Sequence, residues 1–459
     1  MKKLLYILIG LAGILLGIIG AFTHVLLPVG IIAAVSMGVL ILLDYQRVTY
    51  LLAFYIIIDF ILRYVMQVPF LGGNWDELLF VVCVMLWFYK WLVYRKQKAY
   101  FWTPLEFPLI FFIGVGILLL LVNSPDMRIG LEGFRAVFEY LLWFFVTVQL
   151  LRTPTGAKRL VYMLVFVGGL LGLDGVHQYI VGVEMPGNWV DKAEVAVRTR
   201  VFSIAGNPNA LASLMVLLTP LSISLVFFEK KLGKKVLFGA IALIMLACLV
   251  FTFTRAAWIG FIFALIVYVF VKNRRMLIPA LAGMAVGGVI ISFLVPSVAD
   301  RIAYLISPEY MVSSSKGGRV KRWIEGLYML KQNPLFGMGL GRFGGAVAVN
   351  NKIPGAFYMD NYYVKTAVET GIVGLSAFLV LIYNLVIWNI RAIRNLKNTR
   401  YVNIAHGAFA GMCGVLVHSA AENVFEVPMM AVYFWVMAGI VMFLAYMNNK
   451  GTLKESDAV

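Results

Sequence analysis

The chain is 459 residues long, 62% hydrophobic and 13% charged, with a mean hydropathy of +0.90 and a formal net charge of +17. This composition excludes an ordinary soluble protein. Long apolar runs recur from end to end, which excludes a barrel of short alternating strands, so the expected fold is an all-α polytopic membrane protein.

Met1-Lys2-Lys3 and the apolar stretch behind it imitate a signal peptide, but no small-residue cleavage site follows, so a retained first span is expected. Apolar runs mark about fourteen spans, near 4–22, 25–43, 48–66, 78–94, 105–122, 135–151, 160–182, 209–228, 236–253, 256–271, 276–295, 362–387, 403–422 and 428–447. With a cytoplasmic N-terminus, the connections facing the cytoplasm are Arg47, Arg95 to Lys98, Arg152 to Arg159, Lys230 to Lys235, Lys272 to Arg275 and Arg391 to Arg400. Together with the two termini they hold 22 of the 39 basic residues, while short outward turns such as Gln67 to Glu77 and Glu422 to Pro428 hold none, as the positive-inside rule requires. The expected organisation is one integral domain, 1–459, with a large extracytoplasmic loop at 296–361, a tail at 448–459, and both termini in the cytoplasm. Cys83, Cys248 and Cys413 each fall inside an apolar run and read as packing residues, with no disulfide or metal spacing.

Two outward segments break the charge rule. Val183 to Ala205 carries Lys192, Arg198 and Arg200, and the loop from Pro296 to Asn361 carries Arg301, Arg319, Arg322 and Arg342 with Asp360. Arg255 sits in the short outward turn Thr254 to Trp258. Within the long loop, Arg319 to Gln332 reads as an amphipathic helix on the outer membrane surface, with Trp323, Leu327 and Leu330 on one face and Arg319 and Arg322 along its edge.

Three outward span starts carry helix-capping residues: Asn207-Pro208-Asn209, Thr254-Arg255 and Asp360-Asn361. Free N–H groups at such ends favour anions. Arg200, Arg255, Arg319 and Arg322 beside them could hold a pyrophosphate through bidentate hydrogen bonds that lysine makes less well. The alternative is that these arginines bind lipid headgroups or pair with Asp191, Glu194, Asp300 and Glu325. Asp360 is a candidate general base or a helix N-cap, and the two roles are compatible only if Asn361 does the capping. Gly339-Leu-Gly341-Arg342-Phe-Gly344 matches GxGxxG but follows no strand, so a flexible turn or anion nest is expected and a dinucleotide site is not. His24, His177, His406 and His418 are scattered, and no metal site is expected. Asp174 and His177 share a face of the seventh span and read as intramembrane groups for packing hydrogen bonds between helices, and Asp59 with Arg63 on the third reads as a structural ion pair.

Four stretches in series resemble the O-antigen ligase and polymerase superfamily. They are Arg200 to Asn209 (RVFSIAGNPN), Thr254 to Trp258 (TRAAW), Gly318 to Trp323 (GRVKRW) running into Asn333 to Gly341 (NPLFGMGLG), and Asp360-Asn-Tyr-Tyr with Glu369-Thr-Gly371-Ile-Val-Gly374. The resemblance covers roughly residues 200 to 375. It implies a GT-C-like membrane glycosyltransferase in a bacterial cytoplasmic membrane, with its site on the outer face and no cofactor. The donor would be a polyprenyl-diphosphate-linked glycan and the acceptor a glycan, with the lipid bilayer around them and no nucleic acid partner; a chain-length regulator and a flippase are partners to look for. It implies that Arg255 and Arg319, with Arg200 and Arg322, stabilise charge on the leaving diphosphate. Asn207, Asn209, Asn361 and Arg342 complete the expected substrate-binding set, and Asp360 stands where ligases of the family usually carry histidine. That departure favours a repeat-unit polymerase over a lipid A-core ligase. Ligation of finished glycan to a lipid or protein acceptor is the alternative within the class, and a flippase or secondary transporter the alternative outside it.

Overall fold

A computed structural model of the chain describes residues 38, 41, 44–67, 71–93, 100–185 and 199–453. The predicted span 4–22, nearly all of 25–43, the basic turn Arg95 to Lys98, Asp191, Lys192, Glu194, Arg198 and the end of the tail lie outside the described residues. The described elements are helices, with no strand among them, and each predicted span from 48–66 onward coincides with helix. Among the described residues, seven helical runs are long and apolar enough to cross a bilayer. The protein is thus an all-α polytopic membrane protein.

The chain divides into two units, Met1–Ala99 and Tyr100–Val459. In the first, the helical run α1 (Tyr45–Val65) carries the expected Asp59 and Arg63 pair, 2.7 Å apart, and Trp75 of α2 (Leu71–Val93) donates its indole N–H to the same carboxylate at 2.9 Å.

The second unit begins with α3 (Glu106–Val122), α4 (Met127–Phe138), α5 (Leu142–Leu150) and α6 (Pro154–Val181). It continues with α7 (Pro208–Phe228), α8 (Leu232–Phe251), α9 (Arg255–Asn273) and α10 (Leu277–Leu294). The predicted loop folds into short helices, α11 (Pro296–Leu305), α12 (Pro308–Lys316), α13 (Arg319–Gln332) and α14 (Ala346–Asn350). Three long helices close the chain: α15 (Tyr362–Asn395), α16 (Val402–His418) and α17 (Pro428–Asn449).

Helices α7 and α17 are apolar around their whole circumference, and both are almost wholly buried, whereas α10 buries no residue. A helix hydrophobic on all sides belongs in the centre of a bundle or in lipid, and this protein uses both solutions. Helix α16 packs against α7 and α9. Lipid provides no hydrophobic drive for such packing, so close backbone approach has to supply it. Gly414 lets α16 reach α9 so closely that a Cβ there would stand 2.7 Å from the carbonyl of Gly260. Cys83, Cys248 and Cys413 are buried thiols.

Helix α15 is not the straight span that its apolar run predicts. Gly371 breaks it, with φ 64° and ψ −169°, a conformation open essentially to glycine alone. Into the gap comes the segment after α13: Ile372 N–H donates to Pro334 O at 2.8 Å, Met338 N–H to Val368 O at 2.8 Å and Gly339 N–H to Glu369 O at 3.0 Å. The backbone groups freed by the break are thereby satisfied within the protein, as a membrane interior demands.

Candidate functional site

Antiparallel connections gather the start of α7, the turn between α8 and α9, the start of α15 and the turn between α16 and α17 at one end of the second unit. Two of the three expected caps form there. Asn207 Oδ1 accepts from Asn209 N–H at 2.7 Å, with Pro208 at the first helical position, and Asn361 Oδ1 accepts from Val364 N–H at 3.0 Å. Thr254 makes no cap; its hydroxyl donates instead to Asn209 Oδ1 at 3.1 Å.

Because Asn361 caps α15, the Asp360 carboxylate is available to other groups. Its Oδ2 lies 2.9 Å from Arg322 Nη1 and 3.5 Å from Arg319 Nε, both on the first turn of α13. Arg322 also donates to Tyr358 O at 3.1 Å. Helix α13 runs over the residues predicted, but its buried line is Trp323, Gly326 and Leu330, packed on Phe343, Met359 and Val368. Leu327, expected on that face, is 55% exposed. Gly326 gives the reason, since a Cβ there would stand 2.8 Å from Val364 and so the helix can lie close only along the glycine line. Glu325 pairs with Lys321 at 3.6 Å and takes neither arginine.

Arg200 is buried and acts as a hub. Its Nε donates to Thr252 O at 2.9 Å, and its Nη2 to Asn209 Oδ1 at 2.9 Å and Thr254 Oγ1 at 3.0 Å. The loop that carries it is held from α6: Ser203 Oγ donates to Asp174 at 2.6 Å, and Gln178 Oε1 accepts from the N–H groups of Phe202 and Ser203 at 3.0 and 2.9 Å. Asp174 was expected to have a structural polar role, and Ser203 is the partner that gives it one.

Arg255 opens α9 and lies over two tyrosine rings of the loop, Tyr304 at 5.7 Å and Tyr310 at 5.1 Å. Such cation–π contacts hold a guanidinium in place without neutralising it. Arg301 is buried and donates from Nε to Phe253 O at 2.6 Å, tying the loop to the turn just before Arg255. Arg342 is half-buried and forms no ion pair among the described residues.

The glycine-rich turn is anchored to α15 by part of its backbone. Gly337, Gly339, Gly341 and Gly344 all have positive φ, but the N–H groups of Met338, Gly339 and Phe343 are used on Val368 O, Glu369 O and Glu369 Oε1. Beneath it lies a buried charge network in which Lys365 Nζ meets Glu369 Oε2 at 2.6 Å and Glu426 Oε1 at 2.7 Å. The turn is a wedge fixed to α15 by hydrogen bonds and charge.

Sequence reasoning missed Glu422. It stands in the turn between α16 and α17, where Asn209 Nδ2 donates to its Oε2 at 2.5 Å. Burial, and then the charge of Asp360, push its carboxyl up to about 7, against the opposing pull of Arg319 and Arg200. Its turn holds two acids and no base, but so does the outward turn Gln67 to Glu77, so nothing local in the sequence singled it out. Arg200, Asn209, Thr254, Arg319, Arg322, Asp360 and Glu422 therefore form one polar site.

A family profile described as O-antigen ligase matches residues 240–379, a stretch that contains α9, the whole loop and the start of α15. An O-antigen polymerase of Salmonella muenchen is 24% identical over 419 residues, covering 83% of this chain and 98% of that protein. Over α9 to the start of α15, and along most of its length, the chain is thus similar to O-antigen ligases and polymerases.

Proposed function

We propose that the protein polymerises polyprenyl-diphosphate-linked oligosaccharide repeats at the outer face of a bacterial cytoplasmic membrane. The observation that carries this reading is the pairing of Arg319 and Arg322 with Asp360 at a helix end. In the free protein a carboxylate oxygen sits where a donor phosphate oxygen would sit. The incoming diphosphate takes the two guanidinium groups, which suit it geometrically and match its charge, and Asp360 is released for chemistry.

A hydroxyl oxygen of one lipid-linked repeat then attacks the anomeric carbon of a second chain. The bond from that carbon to the diphosphate oxygen breaks, and its electron pair leaves with the polyprenyl diphosphate. Asp360 accepts the hydroxyl proton, and the anomeric centre inverts. Arginine charge, including that of Arg255 held over its tyrosines, stabilises the leaving group. The protein need supply little beyond position and electrostatics, because diphosphate is already a good leaving group. Asn207 and Asn209 hold the helix end, and Arg342 lies on the fixed wedge beside the site.

The profile described as O-antigen ligase favours one second reading, transfer of a finished glycan to a lipid or protein acceptor. Purified protein given only a polyprenyl-diphosphate-linked repeat unit separates the two. A ladder of lengthening glycan supports polymerisation; transfer that begins only when another acceptor is added supports ligation. Asp360→Asn should abolish the ladder, and full polymerisation by that variant would refute the proton-accepting role.

A further inference from the structure

We infer that Glu422 is a second catalytic carboxylate, which forms with Asp360 a pair that receives the proton of the acceptor hydroxyl. This deepens the proposed transfer and rests on it. The backbone brings the two acids together through a shared carbonyl: Gly344 O accepts from Met359 N–H at 2.9 Å, next to Asp360, and from Asn423 Nδ2 at 3.4 Å, next to Glu422. A second tie joins the same two segments, as Tyr362 N–H donates to Ser419 O at 2.9 Å. The two carboxylates differ in their partners. Asp360 faces the guanidinium groups of Arg319 and Arg322, whereas Glu422 faces the neutral amide of Asn209, which Arg200 orients. Nearby on its own turn, Glu426 is already committed to Lys365 and His418 Nδ1 to the hydroxyl of Ser213.

Burial and the charge of Asp360 raise the Glu422 carboxyl, and Arg319 and Arg200 oppose the rise, so Glu422 takes up and releases its proton near neutrality. In the reaction the hydroxyl proton passes to the pair as the oxygen forms its bond to the anomeric carbon. Asp360 takes it first and hands it to Glu422, so that the Asp360 carboxylate is ionised again and rejoins Arg319 and Arg322 when the diphosphate departs. The proton then leaves to water, and the site is restored with atoms and charge in balance.

The test is the pH dependence of polymerisation by the purified full chain, wild type against Glu422→Gln and Glu422→Asp, with binding of polyprenyl diphosphate measured on each. Glutamine can still accept from Asn209 through its amide oxygen, so a purely structural role predicts an unchanged profile. The inference predicts that wild-type kcat rises with pH through about 7. It predicts that Glu422→Gln binds polyprenyl diphosphate normally but has kcat lowered by about 10²-fold or more with that rise abolished, and that Glu422→Asp keeps a displaced rise. Wild-type rate and profile in Glu422→Gln would overturn it, and so would loss of polyprenyl diphosphate binding in that variant, which would make Glu422 a residue of the fold. A wild-type protein that performs no transfer would instead remove the proposed function itself.

Discussion

At the scale of single residues, the arginines that the charge rule singles out take up different environments. Arg200 is buried and hydrogen-bonded to α7 and to the turn between α8 and α9, while Arg319 and Arg322 are about 30% exposed and share the Asp360 carboxylate, with one further bond from Arg322 to Tyr358 O. Arg200→Ala should therefore lose stability by on the order of 3 kcal/mol, since it strands several buried partners. Arg319→Ala should lose activity by about 10²-fold or more while its unfolding temperature in detergent stays near wild type. Thermal unfolding alongside transfer assays checks the contrast, and equal destabilisation by the two would mean that Arg319 too is a structural residue. Asn361 as cap lay within reach of sequence, because cap rules are local; Asp360 as partner of Arg319 and Arg322 did not, since the acids expected beside the arginines were Asp191, Glu194, Asp300 and Glu325. Glu422 did not, because it is separated from Asn209 by 213 positions and no local pattern reports a contact of that span.

At the scale of elements, the apolar periodicity located the helices and hid the break in α15. A run of apolar residues carries no mark of a discontinuity; the mark is Gly371, whose φ admits no side chain and whose Cβ would meet Leu335 O and Phe336 N. Gly371→Ala should cost roughly 1–3 kcal/mol and dislodge the wedge from Pro334 to Gly341. Hydrogen exchange should then rise at the amides of Met338 and Gly339, and unchanged protection there would contradict the coupling. Lys365→Met should be equally harmful for another reason. It leaves Glu369 and Glu426 facing each other in a buried space without their cation, at a cost of about 3–5 kcal/mol. A glycine-rich motif read in isolation promised a ligand nest. Three of its donors, at Met338, Gly339 and Phe343, are spent on α15, which only the three-dimensional meeting of residues 337–343 with 368–373 could reveal.

At the scale of the whole molecule, the charge asymmetry along the chain predicts which end of the second unit faces out. The end with Lys230 to Lys235 and Lys272 to Arg275 should be cytoplasmic, and the end with Asp360, Glu422 and the arginines extracytoplasmic. The native cysteines are buried, so single introduced cysteines can report sidedness cleanly. Ser315→Cys should react with an impermeant thiol reagent in intact cells, and Lys234→Cys only after permeabilisation; the opposite pattern would invert the account. The fold class was legible from composition because a helix long enough to cross a bilayer announces itself in hydropathy. The site was legible as a list of residues but not as an arrangement, since its parts come from five separate segments. The most direct test of the central claim is transfer by purified protein supplied with a polyprenyl-diphosphate-linked repeat unit as sole substrate, beside Arg255→Ala and Arg319→Ala. The account predicts a glycan ladder that both substitutions abolish. Unaltered donor, with or without an added lipid or protein acceptor, would contradict it and leave movement of the lipid-linked glycan as the function to pursue.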